Sequence, residues 1–128
     1  MPAPLSGTAS SRRSQGQRYE RAAEAFLCAQ GLTPITRNFC FRGGEIDLVM
    51  RDGDAIVFVE VRFRKSASFG SAEESVDARK QKRLRLGGQI FLRKNPPSHD
   101  FRCRFDVVAF TGPHSVSAPV WIQDAFSA

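Results

Sequence analysis

The sequence predicts an α/β protein, a mixed β-sheet flanked by helices, and three observations lead to that class. Two runs rich in β-branched and aromatic residues, Gly44 to Met50 and Ala55 to Arg62, flank Arg51-Asp52-Gly53-Asp54. Asp-Gly between such runs is a strong hairpin signal. An amphipathic stretch ending at Asn95-Pro96-Pro97 separates this hairpin from a third strand-like run, Cys103 to Phe110. Strand, helix and strand in that order make a βαβ unit with a parallel, right-handed crossover. A second amphipathic stretch, Gln17 to Gln30, precedes all of these.

The 128 residues suit one domain with a real core, placed over 16–128. Hydrophobic residues at 41% and charged residues at 25% match an ordinary globular protein. Net charge is +6 and the pI is near 9.9, which favours a polyanion over an acidic partner, although simple solubility also accounts for it. Cys28, Cys40 and Cys103 are odd in number and lack CxxC spacing, against both a disulfide framework and a zinc site. Cys40 and Cys103 sit in apolar strand-like runs and read as buried thiols. His99 and His114 fall in Pro-containing loops and read as surface residues, not metal ligands. No apolar run approaches the roughly 18 residues of a membrane span, and Arg12-Arg13 are followed by no apolar stretch of a secretory signal. A reduced, cytoplasmic protein with no membrane partner is expected.

Residues 1–15, built of Ser, Pro, Gly, Ala and Arg, predict a disordered basic tail. In the first helix Tyr19, Ala22, Ala23, Phe26 and Gln30 recur at helical spacing, and Gly31 stops it. Glu20 falls roughly 100° from the centre of that stripe, at the edge of the buried face, and Glu24 roughly 140° away, toward water. A short strand over Ile35 to Phe41 follows, then a turn at Arg42-Gly43-Gly44 into the hairpin. After Arg62 a basic loop, Phe63 to Gly70, carries Arg64, Lys65 and Phe69; Phe63 reads as core, and Phe69 as either core or a base-stacking ring. The second helix starts at a capping box, Ser71 to Glu74, or at Asp77, and runs to about Lys94. Leu84, Gly87, Gly88 and Phe91 form its buried stripe, and two mid-helix glycines, each costing about 1 kcal/mol against Ala, imply close packing on the sheet. Arg79, Lys80, Lys82, Arg83 and Arg85 make its start basic, for phosphate contact or as a solvated face. Asp106, in a strand buried on both faces, requires a partner such as Arg104. An edge strand over Pro119 to Ile122, a core-covering Trp121 and a turn at Asp124 to Phe126 complete the chain.

The hairpin holds the acidic residues. With Asp52-Gly53 as a two-residue turn, Arg51 pairs with Asp54, Asp47 with Phe58 and Glu45 with Glu60. Asp47 and Glu60 are then diagonal neighbours on one face, roughly 7–8 Å apart at Cα, and Arg62 points to the same face. Carboxylates this close raise each other's pKa unless a cation lies between them. Hard ions such as Mg²⁺ take one or two carboxylates plus phosphate oxygens. The same pattern also fits a solvated sheet face whose charges never cooperate.

Gly44-Glu45-Ile46-Asp47-Leu48 followed by Val57-Phe58-Val59-Glu60-Val61-Arg62 resembles the YraN-like uncharacterised protein family. Gly16 to Tyr19-Glu20, Arg37-Asn38, Val76 to Lys80 and Cys103 to Phe110 add to the likeness, which runs from about Gly16 to about Phe126. That family is related to the PD-(D/E)XK nucleases, with archaeal Holliday-junction resolvases as closer relatives. The resemblance implies a restriction-endonuclease-like fold and a metal-dependent endonuclease acting on DNA, branched or damaged. It implies Glu20, Asp47 and Glu60 as ligands of Mg²⁺ or Mn²⁺, with Glu45 ranked below Asp47. It places Lys80 at the active edge; the basic loop and the basic helix themselves offer Arg64, Lys65, Arg79, Lys80 and Arg83 for contact with nucleic acid. The superfamily signature has Lys two residues after the Glu, where this chain has Arg62. Arginine does not act as a general base, so Arg62 serves only as a fixed cation. A non-catalytic nucleic-acid-binding module that keeps the nuclease fold is the alternative, and an adaptor using the Phe-rich loop is a third reading. A branched substrate favours a homodimer with two sites, though no residue demands one.

Overall fold

Five strand-forming runs and two amphipathic stretches assemble into three layers. The computed structural model describes residues 8–64, 76–98, 100–112 and 119–128. In chain order the elements are α1 (Thr8–Ala29), β1 (Thr33–Phe41), β2 (Gly44–Asp52), β3 (Ala55–Arg64), α2 (Ala78–Lys94), β4 (Arg102–Thr111) and β5 (Val120–Phe126). The strands form one sheet in the order β1-β2-β3-β4-β5, antiparallel except for the β3–β4 pair that α2 connects. Tyr19, Ala23 and Leu27 of α1 pack on one face with Leu48, Met50, Val57, Val59, Val108 and Phe110. Leu84 and Phe91 of α2 pack on the other with Ile46, Val49, Phe58, Phe105 and Val107. This is the expected α/β, restriction-endonuclease-like arrangement of a mixed sheet between helices.

The helix α1 begins at Thr8, ahead of the expected start at Gln17, and so takes in part of the stretch read as a tail. Its buried stripe runs through Leu27, whereas Gln30 is exposed beyond the last turn, where Gly31 at φ 101° ends the helix. The helix α2 is capped by Asp77, whose carboxylate accepts from the Lys80 backbone N–H at 2.9 Å. Such a cap is worth about 1 kcal/mol. The alternative capping box at Ser71 to Glu74 lies outside the described residues, as do Lys65, Phe69, His99 and His114. Leu84, Gly87, Gly88 and Phe91 are the buried residues of α2. A Cβ on Gly87 would lie 2.7 Å from Phe41 Cζ, and one on Gly88 3.1 Å from Phe58 Cε2. The glycines therefore let the helix backbone rest directly on aromatic rings of the sheet, as their helix-propensity cost implied.

Asp106 is buried and fully partnered. Arg104 donates to its two oxygens at 2.9 and 3.0 Å, Trp121 Nε1 at 3.0 Å and the Asp124 backbone N–H at 2.9 Å. Its role is structural, as expected of a charge between two sheet faces. Asp124 makes its bond from a left-handed backbone, φ 53°, beside the register shift between Phe105 and Val107. The strand β5 then continues to Phe126, which stacks on Phe105 at 5.0 Å, in place of the expected terminal turn.

The hairpin register departs from the expected one by two residues. Asp52 pairs with Ala55 and Arg51 with Ile56, so Gly53-Asp54 is the turn, with Gly53 at φ 62° in its first position. Asp52 stays in the strand, where its carboxylate accepts from Arg104 Nη1 at 3.0 Å. A two-residue slip keeps every side chain on its face, so the juxtaposition of Asp47 with Glu60 survives. The expected pairing of Glu45 with Glu60 does not: Glu45 pairs with Cys40 of β1. The β2–β3 ladder ends at Leu48↔Val59, while β3 stays paired with β4 as far as Arg64↔Thr111. The sheet therefore forks, with Glu45 to Asp47 on one prong and Glu60 to Arg64 on the other.

Candidate active site

Asp47 sits at the root of the fork. Ile46 belongs to the α2 layer and Leu48 to the α1 layer. Strict alternation would put both on one face, so β2 changes face at Asp47. The neighbouring strand is distorted at the same level. Between the pairs Arg37↔Leu48 and Phe39↔Ile46 lies Asn38, whose φ of 49° is left-handed. Beyond the end of the ladder the Val61 backbone N–H has no β2 carbonyl to meet, and it donates to Asp47 Oδ2 at 2.8 Å. The distortion lets one carboxylate reach groups from both layers.

From the α1 layer comes Glu20. One oxygen each of Glu20, Glu45 and Asp47 lie within 4.8 Å of one another. The Asn38 amide joins two of them, donating to Glu20 Oε1 at 2.9 Å and to Glu45 Oε1 at 3.4 Å. Cys40 donates to Glu45 Oε2 at 3.4 Å. Cys40 is exposed, not buried as its apolar run suggested, because it lies on the edge strand next to this carboxylate; Cys103 is half-buried. Glu24, expected to face water, is instead held by Arg37, with Nη2 at 2.7 Å from Oε1. Charge pairing with the adjacent edge strand outweighs its angular position on the helix.

From the α2 layer come the cations. Glu60 is buried, and its Oε2 lies 3.3 Å from Arg62 Nη1 and 3.6 Å from Lys80 Nζ. Lys80 reaches it from the first turn of α2. The other oxygen, Glu60 Oε1, is buried with no hydrogen-bond partner among the described residues. Burial and the adjacent Glu60 push Asp47 up to about 8, with a smaller push from Glu20, against the opposing Val61 N–H and Lys80. Burial raises Glu60 as well, opposed by Lys80 and Arg62. At neutral pH the pair therefore holds a proton unless another positive charge enters.

These residues fit a hard divalent cation. The site gathers carboxylate oxygens from four side chains; one buried oxygen, Glu60 Oε1, lacks a partner among the described residues, and burial and the adjacent acids push the Asp47 carboxyl up. Glu20, Asp47, Glu60, Arg62 and Lys80 are brought together as expected. The three acids do not form one ring, however: the close set is Glu20, Glu45 and Asp47, and Glu60 joins it through Asp47. Glu45 thus stands nearer the centre than its sequence ranking. Arg64 is half-buried at the end of β3, and Arg79 and Arg83 are exposed on α2. Asn38 had no chemical signal of its own in the sequence; the tolerance of Asn for left-handed backbone is the one physical clue.

The model of the Uncharacterised protein family UPF0102 matches residues 19–110. A UPF0102 protein of Pseudomonas putida strain GB-1 is 49% identical over 119 residues, covering 92% of this chain and 97% of its own. A UPF0102 protein of Saccharophagus degradans is 49% identical over 112 residues, covering 88% and 92%. One of Aeromonas hydrophila is 46% identical over 114 residues, covering 88% and 85%. The matched span contains every acidic and basic residue of the site. No helix among the described residues is long and apolar enough to cross a membrane.

Proposed function

The chain belongs to the UPF0102 family, and we propose that it is a metal-dependent endonuclease hydrolysing phosphodiester bonds in DNA. The supporting observation is the forked sheet that gathers Glu20, Asp47 and Glu60 beside Lys80 and Arg62, with Glu60 Oε1 left without a partner among the described residues. Asp47 and Glu60, completed by Glu20, hold Mg²⁺ or Mn²⁺. When bound, such an ion supplies positive charge to the phosphate and acidifies water. Arg62 and Lys80 set two fixed cations against the same carboxylate edge, where charge on a phosphate in transit is offset. Arg62 takes no proton, so its part is electrostatic. Arg64, Lys65, Arg79 and Arg83 bind the flanking backbone without reading sequence. The likeness to junction resolvases supports branched DNA as the substrate.

One observation favours a second reading, a nucleic-acid-binding module without catalysis: Arg62 stands where the related nucleases carry Lys. Incubation with single-stranded, duplex and four-way DNA, in Mn²⁺ and in EDTA, separates the two. The enzyme cleaves at least one substrate only with metal, and Asp47→Ala abolishes cleavage. Salt-dependent binding with no cleavage of any substrate would contradict the enzyme and support the module.

A further inference from the structure

Asn38 occupies the edge strand level with Asp47, and its side-chain amide N–H group reaches two acids. The Nδ2 group donates to Glu20 Oε1 at 2.9 Å and to Glu45 Oε1 at 3.4 Å. Glu20 comes from α1 and Glu45 from the start of β2, so one amide ties a helix to a strand across the mouth of the fork. Two carboxylates this close repel each other, and the neutral amide offsets that repulsion without adding charge. The second oxygen of Glu45 already accepts from Cys40 at 3.4 Å. Both Glu45 oxygens are thus engaged, whereas among the described residues Glu20 accepts at Oε1 alone. The residue pays for this position with a left-handed backbone, φ 49°, that few side chains adopt.

We infer that Asn38 is the positioning residue of the cation site: it fixes the Glu20 carboxylate beside Asp47, and it makes Glu45 a support for Glu20 in place of a ligand. This rests on the proposed binding of a divalent cation. Partners that orient a ligand carboxylate without touching the ion govern affinity nearly as strongly as ligands do, typically by 10–100-fold.

Substitution at this position separates the amide from the backbone. Asn38→Gly keeps the left-handed conformation at no steric cost and removes only the amide. Asn38→Ala removes the amide and strains the backbone. Mn²⁺ is titrated calorimetrically into the wild-type chain, both variants, Asp47→Ala and Glu20→Gln, and each is unfolded in urea. The Gly variant keeps the wild-type urea midpoint, or exceeds it, and binds Mn²⁺ about 10–100-fold more weakly; the Ala variant loses both affinity and midpoint. Adding Glu20→Gln to the Gly variant costs little further affinity, since the two act through one carboxylate. A Gly variant that binds Mn²⁺ as the wild type does would overturn the role of Asn38 and leave the cation site standing. So would a Gly variant whose midpoint falls together with its affinity, which makes Asn38 a backbone fixture. Wild type and Asp47→Ala alike in binding no Mn²⁺ would overturn the cation site and this inference together.

Discussion

Asp47 shows how one side chain sets the pH behaviour of the molecule. Its carboxyl is pushed up to about 8, by burial and then by Glu60, from an ordinary value near 3.9. A folded pKa above the unfolded one means that the fold prefers the protonated form. The stability that Asp47 contributes is therefore complete below about pH 4 and lost as pH rises toward about 8. In EDTA, urea unfolding of the wild type weakens across that window, while Asp47→Asn, neutral at this position, weakens less, keeping only the dependence that Glu60 brings. The two converge near pH 4, and the variant is the more stable at pH 8. Parallel profiles would contradict the raised pKa of this half-buried carboxyl. The partnership of Asp47 and Glu60 was legible in the sequence because side-chain parity survives a two-residue slip in the turn. Asn38 was not legible, because a left-handed residue inside a strand breaks the alternation on which strand reading depends. Glu24 misled for a related reason: its angle on the helix is polar, and only the position of Arg37 on β1 shows that it is covered.

The helix α2 holds seven cationic residues, Arg79, Lys80, Lys82, Arg83, Arg85, Arg93 and Lys94, and no acid. Like charges three and four apart destabilise a helix, and cations in its first turn oppose the helix dipole. Among the described residues the one ion pair made by α2 is Lys80 with Glu60. Burial of Leu84 and Phe91, the seating of Gly87 and Gly88 on the sheet, and the Asp77 cap hold the helix together despite this charge. Under the proposed function a polyanion along the exposed side, where Arg79 and Arg83 lie, offsets this repulsion. For duplex binding, log affinity against log salt has a slope of about −0.9 for each phosphate neutralised. Arg79→Ala and Arg83→Ala each make that slope shallower by about 1, with similar loss on unrelated sequences. An unchanged slope would place the nucleic acid elsewhere. The buried stripe of α2 was readable from its period and its glycines; the choice of Asp77 as cap lay between two starts that sequence alone did not separate.

The molecule as a whole is a sheet that opens at one end, with a helix on each face contributing one residue to the opening. Strand identity, the parallel β3–β4 crossover and the two-layer cover followed from hydrophobic period and turn residues. The fork did not, because nothing local in Leu48 or Val59 marks where a ladder stops; past that end the Val61 N–H donates to Asp47 in place of a strand carbonyl. That opening brings Glu20 from the α1 side and Lys80 from the α2 side to carboxylates on the two prongs. The most direct measurement is anomalous diffraction at the manganese edge from crystals of the chain soaked in Mn²⁺. The fork predicts a peak within about 2.2 Å of carboxylate oxygens of Asp47 and Glu60, with Glu20 completing the shell. A peak at surface acids alone, or an empty fork at millimolar Mn²⁺, would contradict it.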